Sequence, residues 1–277
     1  MSIITINRGS YSRGKAVAEK LAQRLGYECI SRDILLEASE EFNIPEMKLV
    51  RALHDAPSVL DRFSFGKERY VSYIQSALLQ HVRKDNIVYH GLAGQFLLQG
   101  IPHVFKVRIL ADMQDRVNEE MRRHDISAEK ALYTLQKDDE ERRKWSMFLY
   151  GMDTWDSRLY DLVVHIHKLS VDDAVDIIAT SARKPAFQTT ADSRQVIENL
   201  ALAARVKASL IDITPKIQVE AEGGKVHIHP LERSLQTDEL EQLKTAASQM
   251  EGVAEVIINM GVQKESHDHI NPFHNIG

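Results

Sequence analysis

"SIITINRGSYSRGKAVAEKLAQRLGY", residues 2–27, is the stretch from which the rest of the chain can be read. Its opening, "SIITIN" (2–7), is an uninterrupted β-branched run of the kind that is buried on both faces of a parallel sheet. Val17, Leu21 and Leu25 then recur on one face of a helix over 14–25. Between strand and helix, Gly9 and Gly14-Lys15 have GxxxxGK spacing. The first N–H groups of a helix have no partner inside it, and the helix dipole favours an anion there. Lys15 adds a cation, Ser10 and Ser12 offer hydroxyl donors, and Arg8 and Arg13 flank the turn. Ala16 stands where such loops carry a Ser or Thr that ligates magnesium, so any metal must be held by phosphates, water and other side chains. On this pattern alone, a solvated strand-to-helix turn is the plainer alternative.

Working outward, short apolar runs alternate with helical patterns as far as residue 182. Strands are expected at 2–7, 29–30, 86–91, 103–111 and 160–167. Helices are expected at 14–25, across much of 33–84, and at 112–124, 127–150 and 171–182. This alternation implies an α/β fold, a three-layer parallel sheet with helices on both faces. "ARKPAFQTTAD" (182–192) loses the period, and 183–192 reads as a linker. Beyond it come a helix (193–208), alternating runs around Gly223-Gly224 (216–232), a helix (236–250) and a last strand candidate (254–262). The expectation is a small α+β domain over 193–262 and a loose tail over 263–277.

Composition narrows the function classes. The 277 residues are 43% hydrophobic and 27% charged, with a net charge of −5, which argues against bulk nucleic-acid binding. A single cysteine, Cys29, excludes an intramolecular disulfide and suggests a reducing compartment. No apolar run approaches the roughly 20 residues that span a bilayer. The N-terminus lacks the basic region and long apolar core of a signal peptide. The expectation is a cytoplasmic protein.

From these residues the chain resembles the cytidylate kinase-like family of P-loop proteins. "ITINRGSYSRGKAVAEKLAQRLGY" is similar to that family's first strand, phosphate loop and first helix, with Ala16 a family habit. "NIVYHGLAGQFLLQGIPHVFKVRILADMQDRVNEEMRRHDISAEKALYTLQKDDEERRKW" follows its middle strand, fourth strand and lid, and "YDLVVHIHKLSVDDAVDIIA" its last strand and helix. The resemblance covers about 2–180. It implies a kinase that moves the γ-phosphoryl group of ATP, with Mg2+, onto a nucleoside monophosphate or related acceptor. It implies that Arg8, Gly9, Ser10, Ser12, Arg13, Gly14, Lys15 and Ala16 hold the nucleotide. Lys15 with Arg142 and Arg143, on a lid at about 137–151, would stabilise the transferring group. Asp33, Arg69, His90 and Gly91 are the candidates on the acceptor side. The chain departs from the pattern there: the family's Gly-Arg after the middle strand is His90-Gly91, and the second lid arginine is replaced at Met147 and Phe148. The family's acceptor-site Asp falls at Ser31, with Asp33 two residues on.

Each candidate has a structural alternative. Arg142 and Arg143 follow acidic residues and suit a solvated helix with i,i+4 pairs. His90 suits a hydrogen-bonded core histidine, and Lys67, Arg69 and Tyr70 an exposed amphipathic helix. His54-Asp55 falls in the region expected to cover the acceptor. Arg116, Arg122 and Arg123 read as surface charges. The pairs His165/His167 and His227/His229 lack a third metal ligand, and the expectation is no metal site. Residues 193–262 resemble the BON module, through "VIENLALAARVKASL", "IQVEAEGGKVHIHPLE" and "LKTAASQMEGVAEVIINM". Such modules are associated with phospholipid or partner binding. Acidic residues outnumber basic ones there, ten to seven, so a protein partner, regulation or homo-oligomer formation is expected in preference to an anionic membrane. A nucleotide-binding regulator that transfers no phosphate is the alternative to a kinase.

Overall fold

The computed structural model describes residues 2–9, 13–31, 33–42, 66–91, 93–231 and 235–260. Five strands form one parallel sheet: β1 (Ile3–Arg8), β2 (Glu28–Ile30), β3 (Ile87–His90), β4 (Val104–Ala111) and β5 (Leu162–Ile166), in the order β2-β3-β1-β4-β5. β1 lies between β3 and β4, with Ile3 in register with both Ile87 and Val104. The chain leaves β1 toward β2 on one side, and β4 lies on the other. The carboxyl end of β1 is therefore the switch point where ligands bind in open α/β sheets.

Helices cover both faces, as the alternation implies. On one face lie α1 (Gly14–Leu25) and a later helix, Val171–Ala182, packed on Ile4, Ile6, Val107 and Ile109 through Val17, Leu21 and Ile178. On the other, Ile3, Tyr89 and Val104 meet Leu78, Phe96 and Leu97. These side chains come from α3 (Gly66–Val82) and the short α4 (Gly94–Leu97), with α2 (Asp33–Glu41) beside them. Between β4 and β5 run α5 (Met113–His124) and the long α6 (Ala128–Tyr150), started by the Ser127 cap and ended at Gly151 in the left-handed region. The helix Val171–Ala182 is α7, and its capping box joins Ser170 and Asp173.

The expected linker is packed. Phe187, in a 3-10 turn, meets Phe105 of β4 with ring centroids 4.3 Å apart. The Thr189 hydroxyl donates to the Asp85 carboxylate at 2.5 Å. A Thr190/Ser193 capping box then starts α8, Ala191–Leu210, before the expected position. Its period was lost because a 3-10 turn and a cap have none, not because the chain is unanchored. α8 also belongs to two cores. Ile197, Ala201 and Ala204 pack against the large sheet's second face, whereas Val206, Ala208 and Leu210 join Ile217, Val226, Ile228 and Leu243. The latter core is formed by β6 (Ile217–Glu222), β7 (Lys225–Pro230), α9 (Thr237–Ser248) and β8 (Glu255–Ile258). β6 and β7 form a hairpin across Gly223-Gly224, whose φ values of 56° and 88° require glycine-type freedom. β8 pairs with β7 in parallel.

Ile197 is 2% exposed and fills the large sheet's core from a helix that continues into the small sheet. Ile197→Ala should cost about 2–5 kcal/mol. Both tryptophans, Trp145 and Trp155, precede α8. In urea unfolding followed by tryptophan fluorescence, the midpoint should fall, and an unchanged midpoint would show that α8 does not support the large sheet.

Candidate functional site

Residues on five segments line a cavity toward the carboxyl ends of β1 and β4. Asn7, Arg8 and Gly9 end β1, Ala93 and Phe96 open α4, Arg108 comes from β4, and Asp139, Arg142 and Ser146 descend from α6. Thr154 and Trp155 complete the wall. The space is narrow and partly open, about 30 Å3, with α6 close over the loop end of β1. On α6, Asp139, Arg142 and Ser146 are spaced i, i+3, i+7, which brings all three to one face.

Local forces account for this placement. Arg142 Nη1 donates to the Arg8 carbonyl at 3.3 Å, tying α6 to the end of β1. Ser146 Oγ donates to the Met152 carbonyl at 2.7 Å and fastens the chain that returns from α6. Arg116 Nη1 meets Asp139 Oδ2 at 2.8 Å, with side-chain exposures of 8% and 16%, and so joins α5 to α6. A Cβ on Gly9 would stand 3.5 Å from Asp139 Oδ1 and 3.6 Å from the Arg116 guanidinium, which places this ion pair beside the start of the loop. Arg116 is therefore not the surface charge that the sequence suggested. Arg122 and Arg123 are exposed and paired with Glu119, as surface charges are.

Of the nucleotide-loop candidates, Arg8 and Gly9 line the cavity. Ser10 and Ser12 lie outside the described residues. Arg13 takes left-handed backbone angles as the N-cap of α1. Gly14 is buried, and a Cβ there would come within 2.7 Å of Arg8 Cβ and Cδ, so a glycine lets the Arg8 side chain pass the helix start. Ala16 is half-buried on the first turn. Lys15 points outward, with a 65% exposed side chain paired to Glu19 at 3.6 Å.

The structure brings Arg142 to the loop but not Arg143. Arg143 pairs with Asp153 at 2.5 Å and lies 4.8 Å from the Trp155 ring centroid, in an outer groove beside Met147. Although burial opposes it, hydrogen bonds from Arg143 and the Trp155 amide hold the Asp153 carboxyl below the usual range. On the acceptor side, Arg69 pairs with Asp212 at 2.5 Å, toward the small domain. Asp33 opens α2, and its side chain lies outside the described residues, as do those of Lys67 and Phe148 and the whole of His54-Asp55. His90 is buried in register with Ile6, on the sheet face toward α1. A Cβ on Gly91 would come 2.5 Å from Tyr89 Oη, so any side chain there would require the Tyr89 ring to shift.

Sequence reasoning missed Asn7, Arg108, Asp139, Ser146 and Trp155. A signal existed for Arg108, as a cation on the alternate face of the otherwise apolar "VFKVRILA". Among the described residues no group of three His, Cys, Asp or Glu is arranged to hold a metal, and no helix is long and apolar enough to cross a membrane.

Residues 3–168 match the model of the cytidylate kinase-like family, and the chain belongs to that family. The chain is 25% identical over 181 residues to a cytidylate kinase of Ignicoccus hospitalis, an alignment covering 64% of this chain and 97% of that protein. Among solved structures, an uncharacterized protein from Eubacterium ventriosum superposes with a TM-score of 0.51 at 22% identity. That match spans 66% of this chain and 98% of the other, and supports the fold.

Asp139→Ala removes the ion-pair partner that joins the buried Arg116 guanidinium to α6 and should cost about 3 kcal/mol, measured by chemical denaturation. The double variant Arg116→Met, Asp139→Leu should recover most of that loss, because an apolar pair needs no compensation. Equal losses in both variants would contradict an ion-pair origin.

Proposed function

We propose that this chain is an ATP-dependent phosphotransferase that moves the γ-phosphoryl group onto a nucleoside monophosphate or a related phosphate acceptor. The observation that carries this reading is the cavity itself. Backbone and side chain of the loop end, Arg8 and Gly9, face Arg142 of a helix tied down across them. Phosphoryl transfer spreads negative charge over the transferring oxygens, so it needs cations and donors placed beforehand and water kept out. α6 supplies both, since Arg142 reaches the loop and the helix body closes the space above it. The acceptor phosphate is already an anion and needs no general base.

The residues present suit a polyphosphate. ATP would lie along 8–16, with the unpartnered N–H groups of α1 and the Lys15 ammonium, swung in on its flexible stem, on its oxygens. When bound, Mg2+ would neutralise phosphate charge. Ala16 offers it no ligand and Asp139 is committed to Arg116, so phosphates and water would hold it. The outward, paired states of Lys15 and Arg143 favour a second reading, a nucleotide-binding regulator without turnover. The BON-like unit over 193–262 would then present the nucleotide state to a protein partner or a second copy.

Isothermal titration with ATP-Mg, followed by a transfer assay over the nucleoside monophosphates, separates the readings. In a kinase, Arg142→Ala should lower kcat by about 10²–10³-fold. A change below about twofold would make Arg142 an ordinary lid contact. ATP binding that depends on Lys15, without turnover of any acceptor, would favour the regulator. Absence of ATP binding would exclude both.

A further inference from the structure

Arg108 occupies an unusual position for a cation. It sits within a strand paired on both edges, in register with Asn7 of β1 and Val163 of β5. Its neighbours Val107 and Ile109 are buried in the core beneath α1 and α7, so strand alternation turns Arg108 to the opposite face, where it lines the loop cavity. Its contacts there are neutral. Nη1 donates to the Thr154 carbonyl, the guanidinium carbon lies 5.5 Å from the Tyr160 ring centroid, and the buried Nε has no hydrogen-bond partner. Burial pulls its pKa below the usual arginine value, a mark of a cation that lacks full compensation.

The two carboxylates whose charge bears on Arg108 are paired with other residues. Asp139 is held by Arg116 at 2.8 Å, and Asp153 by Arg143 at 2.5 Å and by the Trp155 amide at 2.9 Å. Both act on Arg108 through space, and neither is among its ion-pair partners. A partly desolvated guanidinium with only a carbonyl and a ring for company is costly unless an anion completes it. Arg142 lines the same cavity from α6, and guanidinium groups from two elements lining one cavity suit the oxygens of a phosphate.

We infer that Arg108 is a phosphate-binding residue of this cavity and takes the phosphate monoester of the acceptor. This rests on the phosphotransferase reading. The side of the sheet selects the acceptor over the donor. α1, whose N-terminus would hold the donor polyphosphate, lies on the face of Val107 and Ile109. Arg108 lies on the other face, with Ala93 and Phe96 of the α4 segment.

The test titrates the full chain with inorganic phosphate, at ionic strength matched with chloride, and reads the thermal midpoint. Wild type should be stabilised by phosphate, as any ligand of the native state stabilises it. Arg108→Met should begin at an equal or higher midpoint, respond to phosphate at least fivefold more weakly, and keep its ATP-Mg affinity within about threefold. Arg108→Lys should fall between them. If Arg108 only braces Thr154 and Tyr160, Arg108→Met will lower the midpoint and leave the phosphate response unchanged, which overturns the inference. A wild-type chain indifferent to phosphate overturns it too. Phosphate binding through Arg108 without turnover of any acceptor leaves the inference standing and counts against the kinase reading instead.

Discussion

Parallel pairing of β1 with β3 on one edge and β4 on the other is the constraint on which the site depends. It fixes Asn7 opposite Arg108 and Arg8 opposite Ile109, so the loop end and the β4 cation emerge together. A slip of one residue would exchange the faces of β4, sending Arg108 into the core under α1 and Val107 into the cavity. The full burial of Val107 and Ile109 on either side of Arg108 opposes such a slip, because it would put a cation where they lie. The alternation within β4 thus holds the register on which the site depends.

Charge sets the character of the space so formed. Arg8, Arg108 and Arg142 line it, and the lining carboxylate, Asp139, is matched by Arg116. A concave site with an excess of guanidinium groups and low-dielectric walls attracts and concentrates anions. The net charge of −5 for the whole chain conceals this local reversal. The small domain shares in the arrangement through α8, which is continuous between the two cores, and through Arg69 and Tyr73 of α3, both of which contact Asp212. The helix expected to cover the acceptor is thus braced from the second domain.

Much of the fold was legible in the sequence, because β-branched runs and 3.6-residue periods record burial directly. "SIITIN", the helix 14–25 and the Gly223-Gly224 hairpin appear within a residue or two of their expected positions. The site was less legible, since its members are set by tertiary partners. Arg116 lies in a strongly charged helix and reads as surface, but it is buried and paired with Asp139 on the next helix. Arg142 and Arg143 are neighbours in sequence, yet helical geometry turns one toward Arg8 and the other toward Asp153. Gly91 stands where the family pattern has an arginine, and the Tyr89 ring packs close against it. Arg108 carried a signal, but in strand alternation and not in any motif.

Trp155 gives a direct view of the central claim, that the space between Arg8, Arg108 and α6 receives phosphate. It lines the cavity and is 55% exposed, and Trp145→Phe makes it the sole tryptophan. Titration of that variant with ATP-Mg should change Trp155 fluorescence saturably, with a further saturable change when a nucleoside monophosphate follows. A signal that neither ligand alters, at concentrations where calorimetry detects binding, would locate the nucleotide elsewhere and contradict the account.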